Sequence, residues 1–152
     1  MIEVVAGVVQ RSGLYLIAKR APGKSLAGYW EFPGGKLEAG ETHEACLARE
    51  LKEELDLDVT VGAYICESVL GESDNQFRLV AYATRTEQEH ITSTDHDEVK
   101  WVGIDEFGNY EFAPADMPIV KALLENRINL LATLVKEIEM YKLIYNDNTL
   151  KT

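Results

Sequence analysis

One uninterrupted stretch constrains this chain more than any other. Gly34 to Leu57, GGKLEAGETHEACLARELKEELDL, sets a glycine turn directly before an acidic segment. From Thr42 to Leu55 there is no Gly or Pro, and Ala, Leu, Glu, Lys and Arg dominate, so intrinsic propensity predicts a helix. Thr42 is the expected N-cap, and Glu44 falls in the first turn, where the helix dipole favours an anion. Residues three and four apart are neighbours on a helix, so Leu47, Ala48, Leu51 and Leu55 share one face and Glu50, Glu53 and Glu54 another. Like charges at that spacing cost an isolated helix roughly 0.2–0.5 kcal/mol per pair. A cation is therefore expected against them. A hard divalent ion with oxygen ligands fits best, and Mg²⁺ usually binds through few carboxylates plus substrate phosphates.

Before and after this segment the pattern is that of an α/β domain. Residues 2–10 and Leu14–Ala18 are β-branched and apolar on either side of Ser12-Gly13, which predicts two strands joined by a short turn. Lys19 to Lys24 is a positively charged loop. In GYWEFPGGK, Gly28 to Lys36, the glycines permit tight turning and close approach to a ligand, and Trp30 and Phe32 alternate with Glu31 as in a short strand, one expected in the core and the other at a pocket. Val59–Leu70 and Gln76–Thr86 read as strands around a hairpin loop at Gly71–Asn75. Gln88–Glu98 reads as loop, Val99–Ile104 as strand, and Phe107–Pro118 as irregular. Ile119–Asn126 is expected to be helical, followed by an amphipathic helix over Ile128–Tyr145. The second is expected to pack on its own domain, with pairing to a second copy as the alternative, which divides the chain into a domain at 1–127 and an extension at 128–152.

At 152 residues there is room for one domain with a substantial core. No stretch approaches the roughly 20 apolar residues of a membrane span. The formal net charge of −11 argues against affinity for nucleic-acid polymers or anionic membranes, yet leaves room for a single nucleotide served by local cations. Cys46 and Cys66 have no ligand-like spacing and read as buried free thiols. With no signal peptide evident in the opening residues, the expected compartment is the cytoplasm.

Gly35, Glu41, Arg49, Glu50, Leu51, Glu53, Glu54 and Leu57 fall at the intervals G-x5-E-x7-R-E-U-x-E-E-x-G-U, with U aliphatic. This resembles the Nudix box. Asp56 stands where that family usually has Gly, at a helix C-terminus where a left-handed residue is common and Asp is more tolerant than most. The flanking GYWEFPGGK and FAPAD segments resemble the MutT type within the superfamily, which cleaves nucleoside triphosphates to monophosphate and pyrophosphate. The resemblance covers roughly residues 2–127.

What it implies is specific. The fold would be an α/β/α sandwich with a mixed sheet, plus an extra C-terminal helix. Glu50, Glu53 and Glu54 would hold Mg²⁺, with Mn²⁺ as a substitute and the Gly35 carbonyl as a further ligand. Arg49 would orient the carboxylates through an ion pair with Glu41. The proton acceptor stays open among Glu50, Glu53 and an acid of the Asp97-Glu98 loop; of the metal-capable Asp95, His96, Asp97 and Glu98 ahead of Trp101, Asp97 is the candidate further metal ligand and Glu98 the candidate base. Arg20 and Phe32 match pocket positions, Asp116 matches the residue that contacts the base edge, and Arg78 is a further substrate-binding candidate. Oxidised purine and cytosine nucleotides are both open as substrates, the protein being a monomer or a homodimer. The rival readings are hydrolysis of another nucleoside diphosphate derivative, such as ADP-ribose or a dinucleoside polyphosphate, and a non-catalytic nucleotide sensor.

Overall fold

The computed structural model describes residues 1–145. Its sheet is built on β1 (Ile2–Arg11), which turns through Ser12-Gly13, both at positive φ, into β2 (Leu14–Arg20). Short strands β3 (Trp30–Glu31) and β4 (Gly34–Lys36) precede α1 (His43–Leu55), and β5 (Thr60–Leu70), β6 (Phe77–Arg85) and β7 (His96–Val102) follow it. The strand order is β3-β2-β1-β6-β5, with β4 added to β1 and β7 to β2. β1 and β6 run parallel from Ile2↔Phe77 to Gln10↔Arg85, and the other pairs are antiparallel, so the sheet is mixed.

The hairpin of β1 and β2 is paired only near its turn, at Gln10↔Tyr15 and Arg11↔Leu14. Beyond it the strands part: β4 pairs with β1 at Val4–Ala6, while β2 goes on to pair with β7. That divergence opens the sheet, and α1 enters directly from β4.

Strand alternation sends successive residues to opposite faces. Val5, Val9 and Leu16 join Leu47, Leu51 and Leu55 of α1 in one cluster. Ala6, Val8 and Ile17 join Trp30, Phe32, Phe107 and Phe112 in the other, closed by Ile119, Val120 and Leu123 at the start of α2 (Met117–Tyr145). Helix thus covers both faces, the α/β/α sandwich expected. Thr42 caps α1 by accepting from the Ala45 N–H, 3.1 Å away. Asp56 ends it in the left-handed region, at φ 50° and ψ 41°.

Trp30, 7% exposed, is in the core, and Phe32, 3% exposed, packs there while also lining a cleft, in keeping with the alternation. Three expectations need correction. β7 begins at His96 rather than Val99, because Glu98 and His96 find partners in Lys19 and Arg20 of β2, with a register shift between those two. Cys46 is buried, but Cys66 is only half-buried; both are free. Finally, the two C-terminal helices are one. No Gly or Pro lies between Pro118 and Tyr145, so α2 runs on without a break. Its buried contacts end at Leu123, and residues 128–145 stand exposed instead of packing on the domain. The remainder of the expected extension, 146–152, lies outside the described residues. No helix among the described residues is long and apolar enough to cross a membrane.

Candidate active site

Arg49 organises the acidic face of α1. Its Nε and Nη2 donate to the two carboxylate oxygens of Glu41 at 2.7 and 2.8 Å, and Nη1 donates to Glu50 Oε1 at 3.0 Å and Glu53 Oε2 at 3.2 Å. Nη2 also reaches the Lys36 carbonyl at 3.2 Å, tying α1 to β4. The hydrogen bonds from Arg49 hold the Glu41 carboxyl down to about 2, and those from Glu41 raise Arg49 above its ordinary range. Such a planar, always charged fork suits this task better than an ammonium.

The glycines before the helix are required by contact. A Cβ on Gly35 would overlap the Glu50 carboxylate, and one on Gly34 would overlap the Val5 carbonyl across the β1–β4 pair. Glycine at 35 therefore lets the acidic helix lie directly on the backbone of β4.

Beside this junction opens a cleft of about 450 Å³, lined in part by Gly35, Glu54, Asp95, His96, Arg20, Phe32 and Asp116. Burial, and then the nearby carboxylates of Glu50, Asp95 and Glu31, push the Glu54 carboxyl up to about 8. At the other end Asp116 is 6% exposed, and its Oδ1 accepts the Phe32 N–H at 2.9 Å. Burial pushes its carboxyl up to about 7, opposed by the Phe32 hydrogen bond and reinforced by Glu31. Glu31 thus acts on the acids at both ends. It is held by Arg20 Nη1 at 3.0 Å and by His96 Nε2 at 3.2 Å.

The expected site residues divide accordingly. Gly35, Glu54, Arg20, Phe32 and Asp116 come together around the cleft, with Arg49, Glu50 and Glu53 directly behind Glu54 on α1. Three others neither line it nor stand on α1. Asp97 lies 3.9 Å from Lys19, Glu98 lies 3.4 Å from Lys100, and Arg78 pairs with Glu67 at 2.5 Å and Glu3 at 3.6 Å. Strand structure from His96 onward leaves Asp95 and His96 as the members of the 95–98 segment on the cleft. Sequence reasoning chose Asp97 and Glu98 over Asp95 and His96 within that segment, and passed over Glu31. For Glu31 the signal was present, since a charge flanked by two aromatics in a short strand must point away from their side.

Among the described residues no three acidic, His or Cys side chains converge as a ready-made metal-binding group, because Arg49 engages one oxygen each of Glu50 and Glu53. The donor set nonetheless fits a hard dication. Glu54 is partly buried, and burial first, then the carboxylates of Glu50, Asp95 and Glu31, raise its pKa, an environment in which a cation would favour the ionised form.

A mixed sheet between helices, with an Arg-organised row of glutamates at a glycine junction, defines a nucleotide-phosphate hydrolase architecture, and the chain belongs to the Nudix family: the NUDIX domain model matches residues 1–123. Nudix hydrolases act on small nucleotide substrates and generally depend on a divalent metal. Among curated relatives, the chain is 36% identical over 127 residues to the CTP pyrophosphohydrolase of Escherichia coli K12, covering 84% of this chain and 94% of that protein. It is 39% identical over 116 residues to the "Putative 8-oxo-dGTP diphosphatase 2" of Mycobacterium tuberculosis H37Rv, covering 74% and 81%. The solution structure of the E. coli ORF135 protein superposes with a TM-score of 0.72 at 36% identity, over 84% of this chain and 91% of that one.

Proposed function

We propose that this chain is a Mg²⁺-dependent nucleoside triphosphate pyrophosphohydrolase of the MutT type, converting a nucleotide such as 8-oxo-dGTP, CTP or 5-methyl-dCTP to its monophosphate and pyrophosphate. The observation that carries the reading is one continuous cleft with a buried carboxyl, Asp116, at one end and the Glu54 carboxyl cluster at the other. The names of the two curated relatives support it.

Phe32, Leu79 and Ala115 offer apolar surface for a base, and Asp116 stands where its edge would be read. With a pKa of about 7, Asp116 is present both as carboxylate and as acid near neutrality. It accepts hydrogen bonds in the first form and also donates in the second. Lys24 and Lys36 line the same cleft and would meet phosphate oxygens.

Glu50, Glu53 and Glu54, with the Gly35 carbonyl, would hold Mg²⁺ or Mn²⁺, which supplies charge screening of the triphosphate, Lewis acidity and stabilisation of the leaving oxygen. Arg49 fixes the side chains of Glu50 and Glu53 for that task. Water attacks a phosphorus of the triphosphate chain, the bridging P–O bond breaks, and a carboxylate takes the water's proton. Glu53 and Glu50 are the candidate acceptors, and Asp95 replaces Asp97 and Glu98 as the acid supplied by the β7 segment.

The test is a panel of 8-oxo-dGTP, CTP, 5-methyl-dCTP and the common nucleoside triphosphates, assayed for pyrophosphate with Mg²⁺ and again with a chelator. Pyrophosphate release from at least one triphosphate, abolished by the chelator, is expected. Cleavage of ADP-ribose or dinucleoside polyphosphates alone, or binding without turnover, would overturn the reading.

A further inference from the structure

Beyond Leu123, α2 leaves the body of the protein, and its apolar side chains go with it. Ile128, Leu131, Leu134, Val135, Ile138 and Tyr141 are each between 47% and 64% exposed. Their three- and four-residue spacing gathers them on one side of the helix. Together they present about 600 Å² of apolar surface, at the upper end of what a monomeric soluble protein leaves in one patch.

The surrounding charges narrow what covers it. Lys136, Glu137, Glu139 and Lys142 are of both signs, whereas a helix that lies on anionic lipid carries a basic polar face. The chain's net charge of −11 adds repulsion from such a surface.

We propose that α2 pairs with α2 of a second copy of this chain, antiparallel, to form a two-fold symmetric homodimer. Leu124, Ile128, Leu131, Val135 and Ile138 alternate at four and three residues, the seam spacing of paired helices. The next place in that series is Lys142. A parallel pair would set Lys142 against its own copy in the seam. An antiparallel pair centred between Lys136 and Glu137 instead sets Val135 against Ile138, and lays the Lys142 stem along Leu131 with its ammonium free to reach water. The strip is thus complementary to itself when reversed, as an isologous two-fold contact requires. Two copies would bury about 1,200 Å², enough for a specific interface.

Sedimentation equilibrium of the full chain over a micromolar concentration range tests this. The expected mass is twice the 17.0 kDa of one chain, returning to 17.0 kDa in the double variant Leu131→Glu/Val135→Glu. Both positions are exposed, so far-UV circular dichroism and turnover per chain should be unchanged in that variant. A monomeric wild-type protein overturns the proposal, whether or not it also sediments with anionic phospholipid vesicles. A dimer that survives the double variant overturns the assignment to α2. Under oxidation Ile128→Cys should give no cross-linked dimer above the wild-type background, because antiparallel copies hold the two positions far apart; a disulfide-linked dimer through that position overturns the antiparallel arrangement.

Discussion

Arg49 grips both carboxylate oxygens of Glu41, at 2.7 and 2.8 Å, and with its remaining donors holds Glu50 and Glu53 at 3.0 and 3.2 Å. One guanidinium thereby converts a repulsive row of glutamates into a positioned set. Replacing it by Lys keeps the charge and loses the fork. Arg49→Lys should lower kcat by about tenfold or more with a smaller change in KM, since orientation rather than substrate contact is lost. Steady-state kinetics on the preferred triphosphate checks this. Equal loss in both parameters would place Arg49 on the substrate instead.

Glu53 is the most exposed of the three box glutamates held on this face, its side chain 59% accessible. Glu53→Gln should reduce turnover by about two orders of magnitude or more while leaving stability within about 0.5 kcal/mol. Near-normal activity with an unchanged Mg²⁺ requirement would remove Glu53 from the chemistry.

Glu54 behaves differently, because its carboxyl is raised from 4.5 to about 8. A carboxyl that binds its proton more tightly when folded makes stability fall as pH rises, here between about pH 4.5 and 8. Thermal melts of the metal-free protein should show that decline, and Glu54→Gln should make it shallower while abolishing turnover. A variant whose melting curve follows wild type at every pH would show that Glu54 is not the group responsible.

Asp116 adds to the same decline, over the window from about 3.8 to about 7. Below it both states carry the proton; above it the folded protein bears a buried carboxylate at a cost of up to about 4 kcal/mol. Asp116→Asn keeps an acceptor for the Phe32 N–H and removes that cost, so the melting temperature at pH 8 should rise. Its larger effect should be on the ranking of bases in the triphosphate panel. An unaltered ranking would exclude Asp116 as the base reader.

Gly35→Ala tests the junction itself. Its Cβ would occupy the space of the Glu50 carboxylate, so the variant should stay folded but lose activity along with its Mg²⁺ dependence at ordinary metal concentrations. Isothermal titration with Mg²⁺ reads the loss directly. Unchanged metal affinity would show that Glu50 relocates without consequence.

Much of this was legible in the chain because it is local. The α1 face, the Thr42 cap, the left-handed Asp56 and the Arg49–Glu41 pair all lie within one helix and its approach, where spacing alone fixes neighbours. What escaped depends on partners far away in sequence. Asp95 and His96 reach the cleft only because β7 adds to β2, and Glu31 becomes central only when Arg20 and His96 close on it. Arg78 was a substrate-binding candidate, but strand pairing between β5 and β6 places Glu67 within its reach. The course of α2 was misread around Arg127, where one helix was expected to end at Asn126 and a second to begin at Ile128, although nothing there breaks a helix. Arg127 instead pairs with Asp105.

The parallel ladder of β1 and β6 also governs how the protein is made. The central strand is synthesised first, but its partner ends at Arg85, so at ordinary elongation rates roughly 4–15 s pass before that half of the sheet can close. During that interval the β6 side of β1 is unpaired and Ala6, Val8 and Ile17 lack the layer that Phe107, Phe112 and Ile119 complete, so the emerging polypeptide presents a sticky edge to the ribosome exit and to chaperones. Slowing translation ahead of codon 85 should therefore lower the soluble yield.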